Sequence, residues 1–420
     1  MDSLRTDDSL SVSEAYRRLS LLTSEIQDLH LALGLPSRYL GKEVKLLPLI
    51  LRKFGEDFYV HYNQSEDSTL VRGTRLLAID GTSPLSDFSR FRTLYGADFG
   101  NVYSKNYYAE RNFSGLYTRW YGRRDSVKIR YSFPADSTKR EETLTFLPAK
   151  EAMGNLTKRY KNVLRKNFDL QITDSLNRTA KLDLTSFRGK KSLLSFAENK
   201  FKRDLKRSFR QIESDSVQNL ILDLRGNGGG AVVNVHRLIS YLVPGSFRIY
   251  DTVSITRSGF RKVFRPYLGL PALAGRLYLN RKDENGYYRS YITEKKKFKP
   301  ARRYRYSNRL FVLMDGGSYS ATTFTISLLK NQDRGIFVGT PPGGANWGSF
   351  AGRFYAAKLS HSGIRVNLPL MKLVHSTEGL THGDFFVQPD FHVEQGFDDF
   401  LRRKDTPVEF IHKLIMYEKP

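Results

Sequence analysis

The chain contains no cysteine among its 420 residues. Disulfides, thiolate nucleophiles and cysteine-based metal sites are therefore excluded, while the redox compartment stays open. No apolar run reaches the roughly 18 residues that a membrane-spanning helix needs. The opening stretch MDSLRTDDSLSVSEAYRRL is polar and lacks the apolar core of a secretory signal. Acidic residues are scarce: 43 Asp and Glu stand against 68 Lys and Arg, for a net charge of +25. Such a surplus suits a polyanionic partner, but here it is dispersed. Its clusters are short (157–166, 200–210 and 294–309), and the second repeats at helical spacing. No zinc-finger spacing, RNP-like strand or helix-turn-helix accompanies them. A solvated basic surface is the expectation, and nucleic acid is not expected as a partner. Nucleotide loops are missing too, because no Gly-Lys-Ser/Thr or G-x-G-x-x-G register follows any strand. His361, His375 and His382 fall close together but match no zinc spacing, so no metal or cofactor is expected.

What is present is core-forming material. Hydrophobic residues make up 40% and aromatic residues 13%, enough for the two or three domains that this length implies. Residues 11–33 repeat apolar positions at a helical period, with Ser11 and Glu14 at capping-box spacing and Gly34 and Pro36 as the stop. Short alternating runs from 44 to 147 predict strands, and 149–166 predicts a connecting helix. From 168 the pattern becomes strand, turn, helix, repeatedly. The fold class expected is an α/β core with a mixed, largely parallel sheet, joined to a β-rich module and a short N-terminal helical segment. The expected boundaries are 1–40, 41–148 and 149–420, with a basic insertion over about 244–308.

Two turns in the α/β part draw attention. NLILDLRGNGGG (219–230) is an apolar strand running into glycines, which permit a sharp turn and a close approach of something to the backbone. RLFVLMDGGSYSA (309–321) places Ser320 between a strand and a helix, where a hydroxyl can stand above the sheet edge beside free helix N–H groups. The competing role for Ser318 or Ser320 is a helix cap. Both turns lie at strand C-termini, where α/β sheets bind ligands. One turn would supply a nucleophile and the other N–H groups for an oxyanion.

At these residues the sequence resembles the tail-specific (C-terminal processing) peptidases, whose clan includes the tricorn core and retinoid-binding-protein modules. The resemblance runs through NLILDLRGNGGG, RLFVLMDGGSYSATTFTISLLKNQDRGIFVGTPPGG, LPLMKLVH and VQPDFHVE. Upstream, LVRGTRLLAIDG (70–81) is similar to a PDZ-like module, and EIQDLHLALG to a helical lead-in of the form D-x-H. The resemblance implies a crotonase-like core. It implies Ser320 as nucleophile, Ala321 as one oxyanion donor and Gly229 or Gly230 as the other, so that a scissile carbonyl approaches the glycines. Many relatives place a lysine base in the turn that here reads TPPGGANWG (340–348), without lysine; Lys330 falls too early. The tricorn-like branch uses a histidine from the N-terminal segment, a slot filled by His30. Glu378, with Asp384 nearby, is the expected orienting acid, and His361, His375 and His382 are rival bases.

The reading is a serine endopeptidase-like protein acting on polypeptides by a Ser–His mechanism. Its alternative is an inactive peptide- or apolar-ligand-binding protein on the same scaffold. By resemblance, the expected location is extracytoplasmic, in the envelope or periplasm, with an export signal that is not part of these residues.

Overall fold

A computed structural model of the chain describes residues 10–36, 39, 44–134, 136–161, 163–188, 196–264, 281–376 and 385–417. The chain divides into two compact units: Met1–Leu164 with Ala356–Leu368 and Gly396–Lys404, and Arg165–Tyr355 with Pro369–Gln395 and Asp405–Pro420.

The first unit opens with a helix, Val12–Ser24, whose Ser11 Oγ accepts the Glu14 N–H at 3.3 Å. The helix stops well before residue 33, contrary to the periodicity. Gln27 takes a positive φ of 55°, the Leu29 N–H donates to Asp98 Oδ1 at 3.2 Å, and β1 (Ala32–Gly34) pairs antiparallel with residues 365–367. Tertiary hydrogen bonds thus capture the backbone that a longer helix would have used. After β2 (Lys45–Leu46), strands β3 (Leu49–Phe54), β4 (Asp57–Asn63), β5 (Arg75–Ile79), β6 (Ser126–Phe133) and β7 (Asp136–Thr145) form an antiparallel sheet in chain order. Alternate residues Leu49, Leu51, Phe58, Val60, Val127 and Ile129 are buried, as period-two patterning requires. They pack with Phe88, Phe91 and Phe113 of the helices Pro84–Arg92 and Phe113–Tyr121. β8 (Leu147–Pro148) and the helix Ala149–Arg159 follow.

The second unit is built on a six-stranded sheet. It comprises β9 (Asp169–Asp174), β10 (Thr179–Asp183), β11 (Asn219–Asp223), β15 (Arg309–Met314), β16 (Ile336–Gly339) and β19 (Phe391–His392), in the order β19-β16-β15-β11-β10-β9. Every pair is parallel except β9–β10. Both faces are covered, which explains the unbroken apolar runs. Leu220, Leu222, Leu310, Val312 and Met314 face a core shared with the helices Phe196–Ser214, Val232–Leu242 and Ala321–Asn331. Ile221, Phe311 and Leu313 instead meet Val408 and Ile411 of the helix Thr406–Tyr417. The basic 244–308 stretch is not a bare loop. It carries β12 (Tyr250–Ile255), β13 (Arg281–Lys282) and β14 (Tyr288–Arg289). β12 pairs with residues 371–375 of β18 (Arg365–His375), which follows β17 (Gly348–Lys358). No helix among the described residues is long and apolar enough to cross a membrane.

Candidate active site

β11 and β15 are adjacent, parallel and in register, with Asp223 opposite Leu313. Their C-terminal turns therefore leave the sheet at the same edge, and a dense set of hydrogen bonds joins them. Asp315 Oδ1 accepts the N–H of Gly226 at 2.8 Å from one turn and of Gly317 at 2.9 Å from the other. Ser318 Oγ donates to the Leu224 carbonyl at 2.9 Å, and the Tyr319 N–H donates to the Asn227 carbonyl at 3.0 Å. Asn227 is fully buried. Its Nδ2 donates to Leu184 O at 2.7 Å and its Oδ1 accepts the Gly229 N–H at 2.9 Å.

Ser320 sits on this frame at φ 58°, ψ −123°. That is the conformation of the first central residue of a type II′ turn, a place normally filled by glycine. Holding an L-residue there costs on the order of 1–3 kcal/mol, and such strain gathers at functional positions. Neither serine caps the following helix: Ser320 makes no capping hydrogen bond, and Ser318 is spent on Leu224. Ala321 begins the helix, so its N–H has no intrahelical acceptor.

The structure gives the glycines a steric reason of their own. A Cβ on Gly229 would lie 2.7–2.9 Å from Tyr319 O, Ala321 N and Ser320 Cβ, and one on Gly230 would lie 2.5 Å from the Phe187 and Arg188 backbone. What approaches them closely is the protein's own backbone, with Gly229 seated against the serine turn. Gly229 has also committed its N–H to Asn227. Among the described residues the Gly230 N–H makes no hydrogen bond, because its bridge to Phe187 uses the flanking Gly229 carbonyl and Ala231 N–H.

Behind the glycine turn lies an ionic cluster centred on the buried Asp223. Arg225 donates to both oxygens of Asp223, at 3.0 and 2.6 Å, and to Asp405 at 2.7–2.8 Å. Arg165 joins Asp223 at 3.0 Å and also contacts Asp183. Burial alone would raise the Asp223 carboxyl, but the attraction of Arg225, Arg165 and Lys181 outweighs it and holds the group well below the usual carboxylate range. Asp315 has no such cluster; burial dominates and pushes its carboxyl up, against the pull of the Gly226 N–H and Arg225. Asp315→Leu would strand the buried Gly317 N–H, leaving the exposed Gly226 N–H to water, and should lower stability by about 1–3 kcal/mol. Asp315→Asn keeps an accepting oxygen and is expected to lose about 1 kcal/mol or less. Denaturant titrations of the two variants check this.

His375, one of the rival bases, lies in the same unit but is fully enclosed. Its Nδ1 donates to the Asn346 carbonyl at 2.9 Å, its ring packs 3.6 Å from that of Phe324, and Nε2 has no partner among the described residues. Burial pushes its pKa down to about 3, so it is a poor proton acceptor and a pH liability. In the unfolded chain a histidine titrates near 6.5. The folded value is depressed, so stability is complete above pH 6.5 and is lost as pH falls toward 3. Between pH 6.5 and 4.5 this group alone should remove about 2–3 kcal/mol. Denaturant titrations at both pH values should show a smaller loss in His375→Gln.

His30 belongs to the first unit. Its N–H donates to Asp28 Oδ1 at 2.8 Å and its Nδ1 lies 3.6 Å from the same oxygen. Both side chains are only 10% exposed. Gly96 packs against the Asp28 carbonyl, where a Cβ would come within 2.6 Å. His30 thus stands in a tertiary turn, not at a helix end. His361 lies between β17 and β18, also in the first unit. The structure therefore brings together Ser320, Ala321, Gly229 and Gly230. Glu378, Asp384 and His382 lie outside the described residues. Sequence reasoning passed over Asp28, Asn227 and Asp315. All three stand inside the quoted motifs, but no spacing rule says what a backbone-directed carboxylate or amide will hold. No group of three or more His, Asp or Glu that would hold a metal ion occurs among the described residues.

A family model described as peptidase family S41 matches residues 178–393 of the 420-residue chain. Among solved structures, mature CPAF superposes with a TM-score of 0.67 at 16% identity, covering 99% of this chain and 89% of that one. CPAF complexed with lactacystin gives 0.70 at 16% identity, covering 99% and 90%. The photosystem II D1 C-terminal processing protease gives 0.42 at 16% identity, covering 94% and 85%. At these identities the likeness to CPAF is one of fold. No curated protein matches the chain by sequence.

Proposed function

Because the chain belongs to peptidase family S41, we propose that it is a serine endopeptidase whose nucleophile is Ser320 and whose base is His30. The observation that carries the assignment is the backbone of Ser320, an L-residue held in a glycine-type conformation between β15 and its helix, with no capping duty. His30 takes the proton from Ser320 Oγ as the oxygen bonds to the scissile carbonyl carbon. The N–H groups of Ala321 and Gly230 receive the oxyanion, a role that Gly229 does not fill because its N–H is engaged. The imidazolium then gives its proton to the leaving nitrogen, and the C–N bond breaks. Water, deprotonated by His30, hydrolyses the acyl ester and restores Ser320.

Two carboxylates compete to steady His30. Asp28 lies beside its Nδ1, while Glu378, with Asp384 near it in sequence, is indicated by family resemblance alone. The antiparallel β3–β7 sheet is read as the PDZ-like module, adding an extended substrate segment at a sheet edge. An extracytoplasmic place of work belongs to the same reading and rests on the resemblance.

The test is turnover of casein by the purified wild type beside His30→Ala. The wild type should cleave, and the variant should lose at least about 10³-fold while remaining folded. Full activity in His30→Ala would remove the histidine from the mechanism. An inert wild type that also resists active-site labelling would leave a binding protein on a peptidase scaffold.

A further inference from the structure

The opposite end of the parallel strands carries a concave feature. Arg302, Arg303, Tyr304, Arg305 and Glu213 line a concavity of about 450 Å³. The loop that presents them is firmly held. Its Ala301 N–H donates to Ser240 O at 2.7 Å, and its Tyr306 N–H donates to Tyr241 O at 2.8 Å. The Tyr306 hydroxyl bonds to Gln218 O and Arg309 O at 2.8 Å. Arg334 donates to the carbonyls of Tyr306 and Asn308 at 2.9 Å. Tyr304 sits at a φ of 62°. On this fixed backbone Arg302, Arg303 and Arg305 are exposed, and none forms an ion pair among the described residues.

Three exposed guanidinium groups, without an ion pair among the described residues, on a pre-ordered loop are a receptor for anions. Their planar forks match carboxylates in pairs, and little backbone entropy is lost when they engage. We propose that this concavity is an exosite for acidic segments of a polypeptide substrate, an inference that rests on the peptidase reading above. Its position fixes where the acidic residues must lie. The loop enters β15 at Arg309, and Ser320 follows the other end of that strand, whose six residues span about 20 Å. An extended peptide covers that distance with about six residues, so the acidic block belongs at least that far from the cleaved bond. One feature favours a polypeptide over a nucleic acid: Tyr304 is half-buried, which limits the stacking that single strands use.

The exosite is tested separately from catalysis by anisotropy of a fluorescein-labelled ten-glutamate peptide on the full chain carrying Ser320→Ala. Adding Arg302→Ala, Arg303→Ala and Arg305→Ala together should weaken binding at least tenfold with an unchanged melting temperature. Glu213→Gln should tighten it two- to threefold, and binding should weaken between 50 and 300 mM salt. On the Ser320-intact enzyme, two quenched peptides share one cleavable segment and differ only in a distal Glu or Gly-Ser block. The triple variant should lose about tenfold in kcat/KM on the first and nothing on the second. Equal binding of the glutamate peptide with and without the arginines overturns the proposal. So does tighter binding of a ten-nucleotide DNA strand at the same salt, which would assign the surface to phosphate. If neither peptide is cleaved, the peptidase reading fails while the anisotropy still decides whether the surface takes acidic peptides.

Discussion

Ser320→Ala is expected to lower casein hydrolysis by a factor on the order of 10⁴–10⁶, the range seen when the nucleophile of an acting triad is deleted. Melting temperature should move by no more than a degree or two, because the Ser320 hydroxyl does not cap its helix and alanine inherits the same unfavourable φ. Ser320→Gly gives the sharper contrast. Glycine adopts φ 58°, ψ −123° without penalty, so this variant should be equally inactive yet more stable by about 1 kcal/mol. Stability gained while activity is lost is the signature of strain kept for function. A variant that melted earlier than wild type would instead give Ser320 a structural role.

Gly229→Ala carries the second large effect. The added methyl would lie under 3 Å from Tyr319 O, Ala321 N and Ser320 Cβ, and φ at this position is 91°. None of those atoms is the end of a flexible side chain, so the serine turn itself must move. Overpacking and backbone strain together should cost about 3 kcal/mol, or a fall of roughly 6–12 °C in the melting temperature of a unit this size. A displacement approaching 1 Å at the nucleophile is worth about 100-fold in rate, so the folded fraction should retain 1% or less of wild-type kcat. Gly228→Ala is the control, since Gly228 is exposed. Thermal melts and single-substrate kinetics on the two variants separate a steric role at Gly229 from a general need for glycine in the turn.

The parallel core was legible because its strands are apolar on both faces. LILD and RLFVLM read as buried strands, and β11 and β15 are buried strands packed on both sides. Ser320 was legible for a related reason: a serine trapped between a buried strand and a buried helix has few local tasks. The helix over 11–33 failed where tertiary contacts outbid local propensity. A helical period continues past Ser24, but Asp98, Gly96 and the partner strand of β1 capture residues 28–34. The glycines were legible only in part. Sequence shows that something comes close to a glycine, but not whether it is a ligand or the chain's own backbone. Asp315 and Asn227 were passed over because a buried carboxylate or amide bonded to N–H groups has no periodic or motif signature. Their roles come from the register that sets Asp223 opposite Leu313.

The most direct test of the central claim is chemical. The purified chain is treated with a fluorophosphonate and digested, and the modified peptide is identified by mass spectrometry. An adduct on Ser320, absent after denaturation and at least tenfold slower to form in His30→Ala, is the result predicted for an activated nucleophile. An adduct on another serine, or none on native protein that cleaves casein, would contradict the assignment of Ser320.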